Sequence, residues 1–168
     1  MSVAFRVRVP ATTSNMGPGF DCFGLALDLH FEVDVRPAAS LELTAEGAAV
    51  PLDASNLVVR TLREHLPPGA EVPGLSLHLR NRIPLARGLG SSASARIAGL
   101  AIAEVLQHGL DGADKDRICE AACVLEGHPD NATPAVHGGF CLAAMGRGHE
   151  RIELDARRYL VLVPELEI

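Results

Sequence analysis

Pro84-Leu-Ala-Arg-Gly-Leu-Gly-Ser-Ser-Ala93 joins two stretches of opposite periodicity. Before it, Leu75, Leu77 and Leu79 alternate with Ser76, His78 and Arg80, the period of two that marks a half-buried strand. After it, an Ala-rich stretch runs to His108 with Ile97, Leu100, Ala101 and Val105 on one face and Gly109 as a stop, which predicts a helix. The segment therefore delivers two glycines and two hydroxyls to a helix start. Glycines let backbone approach an anion closely, and a helix N-terminus offers free N–H groups and the positive end of its dipole. Ser91 and Ser92 could add donors, or one could ligate Mg²⁺. The same residues fit a Ser-capped helix after a glycine turn equally well. Two familiar phosphate loops are excluded. Pro84 separates strand from turn and no second strand with a terminal acid follows, against a dinucleotide fold; no lysine lies near, against a Walker loop.

Outward from that loop, strands come mostly first. Val3, Phe5, Val7 and Val9 alternate with Ala4, Arg6 and Arg8 until Pro10 ends the pattern. Leu25 to Val35 alternate with Ala26 to Arg36 as a long antiparallel-type strand with one wet face, and Leu41, Leu43 and Ala45 suggest another closed by Gly47. A helix is expected over Asn56–Leu66 with Ser55 as its N-cap, and a further one over Asp114–Leu125. Phe140–Met145 and Tyr159–Val163 read as strands. The two strongest helices are consecutive, so the expected class is α+β, with helices packed on a largely antiparallel sheet.

The 168 residues fit one domain, numbered 1–168. The last strand runs into Pro164-Glu-Leu-Glu-Ile168 and stops abruptly, as in a chain cut short. No apolar run is long enough to span a bilayer and no signal peptide is visible, so a cytoplasmic chain without membrane contact is expected. Net charge is −6, with 14 arginines, one lysine and no Trp, which argues against nucleic acid as a partner. Cys119 and Cys123 lie one helical turn apart and could bind metal, but no His/Cys pair nearby in sequence completes a zinc set, so reduced thiols are expected.

Two further segments carry polar groups on tight connectors. In Thr12-Thr-Ser-Asn-Met-Gly-Pro-Gly-Phe-Asp21, Asn15 and Asp21 could bind a polyhydroxyl or ammonium-bearing substrate, or simply form an Asx turn. In Glu126-Gly-His-Pro-Asp-Asn131, His128, Asp130 and Asn131 could bind a substrate, a metal or nothing. Glu120 falls opposite Ile118 and Leu125, as a surface charge or as a carboxylate facing a cleft.

Together these segments resemble the GHMP small-molecule kinase superfamily, whose phosphate-binding signature matches Pro84-x-x-x-Gly-Leu-Gly-Ser-Ser-Ala93. Pro10–Gly24 and Gly127–Phe140 narrow the resemblance to the N-terminal part of its homoserine kinases, which implies that a C-terminal domain is absent from this chain. The resemblance implies a ribosomal protein S5 domain 2-like fold and phosphorylation of L-homoserine by MgATP in threonine biosynthesis. It implies that Pro84, Leu85, Ala86, Arg87, Gly88, Leu89, Gly90, Ser91, Ser92 and Ala93 bind ATP, with Asn56 at the adenine. Ser92 and Glu120 would hold Mg²⁺, and Asn15, Asp21, His128 and Asn131 would line the homoserine site. Asn131 stands where related kinases place an Asp base, so the implied mechanism is positioning and charge neutralisation with direct in-line attack. Uncovered apolar surface would favour self-association, a homodimer being its simplest form. The rival readings are a kinase of another small alcohol, or a non-catalytic nucleotide-binding fragment of the same fold.

Overall fold

The computed structural model describes residues 4–47, 50–155 and 158–160. Its centre is β2 (Phe23–Pro37), which pairs antiparallel with β1 (Phe5–Ser14) along one edge. On the other edge, residues 31–37 of β2 pair with β4 (Leu75–Asn81) and residues 23–25 with β5 (Phe140–Ala144), both antiparallel. β3 (Glu42–Gly47) extends the sheet parallel to β4, and β6 (Gly148–Ile152) pairs antiparallel with β5. The expected α+β class and largely antiparallel sheet are present.

Alternation explains which face is buried. Phe31, Val33 and Val35 of β2 and Leu75, Leu77 and Leu79 of β4 are at most 1% exposed. Asp34, Arg36, Ser76, His78 and Arg80 line the opposite, polar face. Onto the apolar face pack α1 (Leu57–His65) through Val58 and Leu62, and α2 (Ser91–His108) through Ile97 and Ile102. α3 (Lys115–Glu126) and α4 (Pro129–His137) complete the layer beside α2.

Several expectations need correction. Pro10 does not end β1: the register shifts between Pro10 and Ala11, and the strand continues to Ser14. A bulge there lets the proline sit without donating to the ladder. The cap of α1 is Asn56, whose Oδ1 accepts from Val58 N at 3.0 Å, while Ser55 instead donates to Asp53. α4 and β6 were not expected. Val3 lies outside the described residues, as does the 161–163 part of the strand expected at the C-terminus; Tyr159 and Leu160 are not in a strand. No disulfide joins the four cysteines; Cys119 and Cys141 are buried and Cys22 and Cys123 half-buried.

α4 forms despite two prolines. Pro129 occupies its first turn, where a missing N–H costs nothing. Pro134 lies inside the helix and leaves the Asp130 carbonyl without its helical donor. That carbonyl sits against Gly24 of β2: a Cβ on Gly24 would come within 1.7 Å of it. The missing side chain is what lets α4 press onto the sheet.

Candidate active site

The glycine loop is anchored before it opens. Leu89 is buried in the core and its carbonyl accepts from Thr12 N of β1 at 3.1 Å. Ala86, Gly88 and Gly90 all adopt positive φ, the last at 68°. Gly90 is the N-cap of α2 and no side chain caps its first turn. This removes the Ser-capped reading: the cap is a glycine, and Ser91 and Ser92 lie inside the helix. Ser94 ties the turn down, its Oγ donating to Pro10 O and Gly90 O at 3.0 Å each.

Thr12, Gly90 and Asn131 meet at one point. Thr12 Oγ1 donates to Asn131 Oδ1 at 2.8 Å, and a Cβ on Gly90 would lie 2.3 Å from that hydroxyl. Asn131 Nδ2 donates to Ser14 Oγ at 2.9 Å, and Asn15 Nδ2 reaches the same Oγ at 3.2 Å. Asn15 Oδ1 in turn accepts from Asp21 N at 3.0 Å. Both Asn15 and Asp21 hold positive φ, which their short polar side chains tolerate. Three sequence-predicted residues, Asn15, Asp21 and Asn131, are thereby linked beside the loop. His128 caps α4 by position and its Nδ1 pairs with Asp130 Oδ1. Asp130 is 1% exposed, and its Oδ2 has no hydrogen-bond partner.

A cavity of about 220 Å³ opens next to the loop, lined by Leu85, Ala86, Ser91 and Ser92 on one side and Asn56 and Phe31 on the other. The Asn56 amide is already engaged, Nδ2 donating to Pro51 O at 2.6 Å. Asn81 also lines this cavity; it is 3% exposed, its Oδ1 accepts from Ile83 N, and its Nδ2 has no partner. Arg87, within the loop, donates to the carbonyl of Ala86.

Glu120 is not brought to the loop. It is exposed on α3 and lines a different cavity, toward the β5–β6 hairpin. The α3 carboxylate that does reach α2 is Glu126, 13% exposed, which accepts from Arg96 at 2.6 Å one turn beyond Ser92. Glu126, Thr12, Ser14 and Asn81 escape the sequence reading. Each is an ordinary polar residue whose position depends on contacts distant in sequence.

The start of α2 thus follows a glycine loop on an antiparallel sheet, with the Asn131 amide fixed alongside. The chain belongs to the GHMP kinase family: the domain described as GHMP kinases N terminal domain matches residues 55–139. It is 50% identical over 151 residues to a homoserine kinase of Cutibacterium acnes, covering 85% of this chain and 51% of that protein. With a homoserine kinase of Clavibacter michiganensis it shares 42% identity over 169 residues, covering 95% and 54%. The crystal structure of homoserine kinase from Cytophaga hutchinsonii superposes with a TM-score of 0.72 at 27% identity, over 93% of this chain and 54% of that one. A Methanococcus jannaschii mevalonate kinase, at 14% identity and a TM-score of 0.63 over 90% and 56%, shares the fold. The chain spans about half the length of the curated relatives it matches. Among the described residues no helix is long and apolar enough to cross a membrane.

Proposed function

We propose that this protein contributes the nucleotide-binding part of a kinase that transfers the γ-phosphoryl group of ATP to the side-chain hydroxyl of L-homoserine, a step of threonine biosynthesis in the cytoplasm. The observation that carries this reading is the uncapped α2 start at Gly90 with the Asn131 amide fixed beside it. The homoserine kinases among its relatives supply the substrate.

The phosphates lie on the N–H groups of Ser91, Ser92 and Ala93, where the helix dipole opposes their charge. The adenine enters the apolar cavity, and the unpartnered Asn81 Nδ2 offers a donor to a ring nitrogen, beside Asn56. Homoserine lies over Asn15, Asp21, His128 and Asn131, with the exposed Asp21 carboxylate toward its ammonium. Asn131 is an amide with its oxygen accepting from Thr12, so it does not take the hydroxyl proton. It positions the hydroxyl instead. The homoserine oxygen forms its bond to phosphorus as the bond to the ADP leaving oxygen breaks, and the hydroxyl proton passes to a phosphate oxygen.

Hydroxyl and carboxylate oxygens suit a hard divalent cation. Ser92 would hold Mg²⁺ together with Glu126, in place of Glu120, because Glu126 is the carboxylate next to α2. Bound there, the ion neutralises phosphate charge. Exposed Phe20 and Val124 supply apolar surface for the proposed homodimer.

The test is calorimetric titration with MgATP, followed by homoserine-dependent ADP release by the full-length enzyme. Saturable nucleotide binding, lost in a folded Gly90→Val protein, is expected. Equal affinity in that variant, or ADP release indifferent to homoserine, overturns the reading.

A further inference from the structure

Between α3, α4 and the β5–β6 hairpin, three side chains from three elements converge. Cys119 of α3, His137 at the end of α4 and His149 of β6 present one ligand atom each, all within 4.8 Å of one another. The two imidazoles stack with centroids 4.1 Å apart and planes 28° from parallel. His137 Nε2 is buried without a hydrogen-bond partner. Asp116, one turn before Cys119 on α3, holds a carboxylate oxygen 3.6 Å from that nitrogen. Asp116, Cys119 and His149 border a cavity of about 600 Å³ between α3 and the β5–β6 hairpin, which gives access from solvent.

We propose that Cys119, His137 and His149 form a zinc-binding site, with Asp116 or a water as fourth ligand. One sulfur and two imidazole nitrogens are the donor set that zinc takes in tetrahedral geometry. Magnesium and calcium, which demand oxygen ligands, are disfavoured. Zinc bonds of about 2.0–2.1 Å to nitrogen and about 2.3 Å to sulfur require the three atoms to close by roughly 1 Å. His149 is exposed on an edge strand and has the freedom to make that move.

The protonation states fit in part. Burial, then the neighbouring His149, pushes the His137 imidazole below its ordinary value, toward the neutral form that ligates. Cys119 is pushed up by its thiol neighbour Cys123 and by burial, so binding must displace a proton from it, as zinc does from thiols. The site joins the β5–β6 hairpin to the end of the helix that carries Asn131. Its role is to fasten that helix, not to touch substrate.

Cobalt(II) replaces zinc and reports its ligands by colour. Titration of the metal-free, reduced protein with Co²⁺ is expected to give intense tetrahedral d–d bands and a thiolate charge-transfer band at one equivalent, both abolished by Zn²⁺. An ion at Ser92 and Glu126 would be pale and lack the thiolate band, which separates the two sites. His149→Gln, on an exposed strand, and Cys119→Ala should each remove the charge-transfer band, with the fold checked by circular dichroism. Absence of the thiolate band in the wild-type protein, or its persistence in folded His149→Gln, overturns the proposal.

Discussion

Thr12 donates from its hydroxyl to Asn131 Oδ1 at 2.8 Å, and so fixes which way the Asn131 amide points. With its oxygen held by β1, the amide turns its nitrogen to Ser14. Thr12 also binds Leu89 O through its backbone, so one residue sets the glycine loop and the amide in register.

Thr12→Val should therefore act on catalysis more than on binding. The isosteric change removes the donor and leaves Asn131 Oδ1 unpaired. Turnover with homoserine should fall about 10²-fold, the scale of a misplaced reacting group, while nucleotide affinity holds. Thr12→Ser, which restores the hydroxyl, should recover most of it. Steady-state kinetics of the three proteins decide, and an unchanged turnover in Thr12→Val would remove the positioning role.

The two loop glycines should differ in sensitivity. Gly88 has positive φ and open space around its missing side chain, so Gly88→Ala should cost only the left-handed strain, about 1–2 kcal/mol. Gly90→Ala adds a collision with Thr12 Oγ1 at 2.3 Å and should cost distinctly more, besides weakening nucleotide binding. Urea denaturation of both variants gives the comparison. Equal losses would mean that Thr12 yields freely.

Glu126→Gln should lower turnover by roughly 10²–10³-fold and raise the Mg²⁺ concentration needed for half-maximal rate. Arg96→Met controls for the lost ion pair and should leave the Mg²⁺ requirement in place. Glu120→Gln, on the exposed side of α3, should stay near wild type. A Mg²⁺ dependence that follows Glu120 instead would return the metal to that residue.

Asp34 on β2 takes hydrogen bonds from Arg6 of β1 and Arg80 of β4, at 2.5 Å and 2.7 Å. The Arg6 hydrogen bond is the largest influence holding its carboxyl down at about 2, from an ordinary 3.8. A depressed acid contributes stability above its unfolded value and loses it as pH falls through its folded value. The contribution should be full above about pH 4 and vanish toward pH 2. Both arginines are partly in solvent, so about 1–2 kcal/mol is expected rather than the whole shift. Asp34→Asn should lose that amount at pH 7 and show a flatter stability profile between pH 4 and 2 in chemical denaturation. An unaltered profile would assign the acid sensitivity elsewhere.

The parts legible in the sequence are those that local periodicity encodes. β4 and the Phe31–Val35 part of β2 alternate because one face is core and the other holds Asp34, His78 and Arg80, and Gly109 ends α2 where expected. α4 was hidden because Pro129 and Pro134 both read as breakers, whereas one sits at a helix start and the other is accommodated by Gly24, over a hundred residues away. β6 has no apolar pattern to detect, since every residue in it is exposed. The glycine loop and Asn131 could be found by motif; the Thr12 restraint and the nearness of Glu126 to α2 could not. The Cys119, His137 and His149 cluster draws on both hidden elements, and its spacing in the chain carries no signature.

The bond from Thr12 to Asn131 spans 119 positions, and the β2–β5 pairing that backs it closes a loop of similar size. The β1–β2 hairpin can form from neighbouring chain, but a closure of that length bears an entropic cost that is repaid only when α4 reaches Gly24. During synthesis, a ribosome-bound chain thus acquires the whole glycine loop well before the amide beside it. The contact that joins Thr12 to Asn131 can close only after α4 has emerged, so the two halves of the candidate site are brought together by chain made long after the glycine loop.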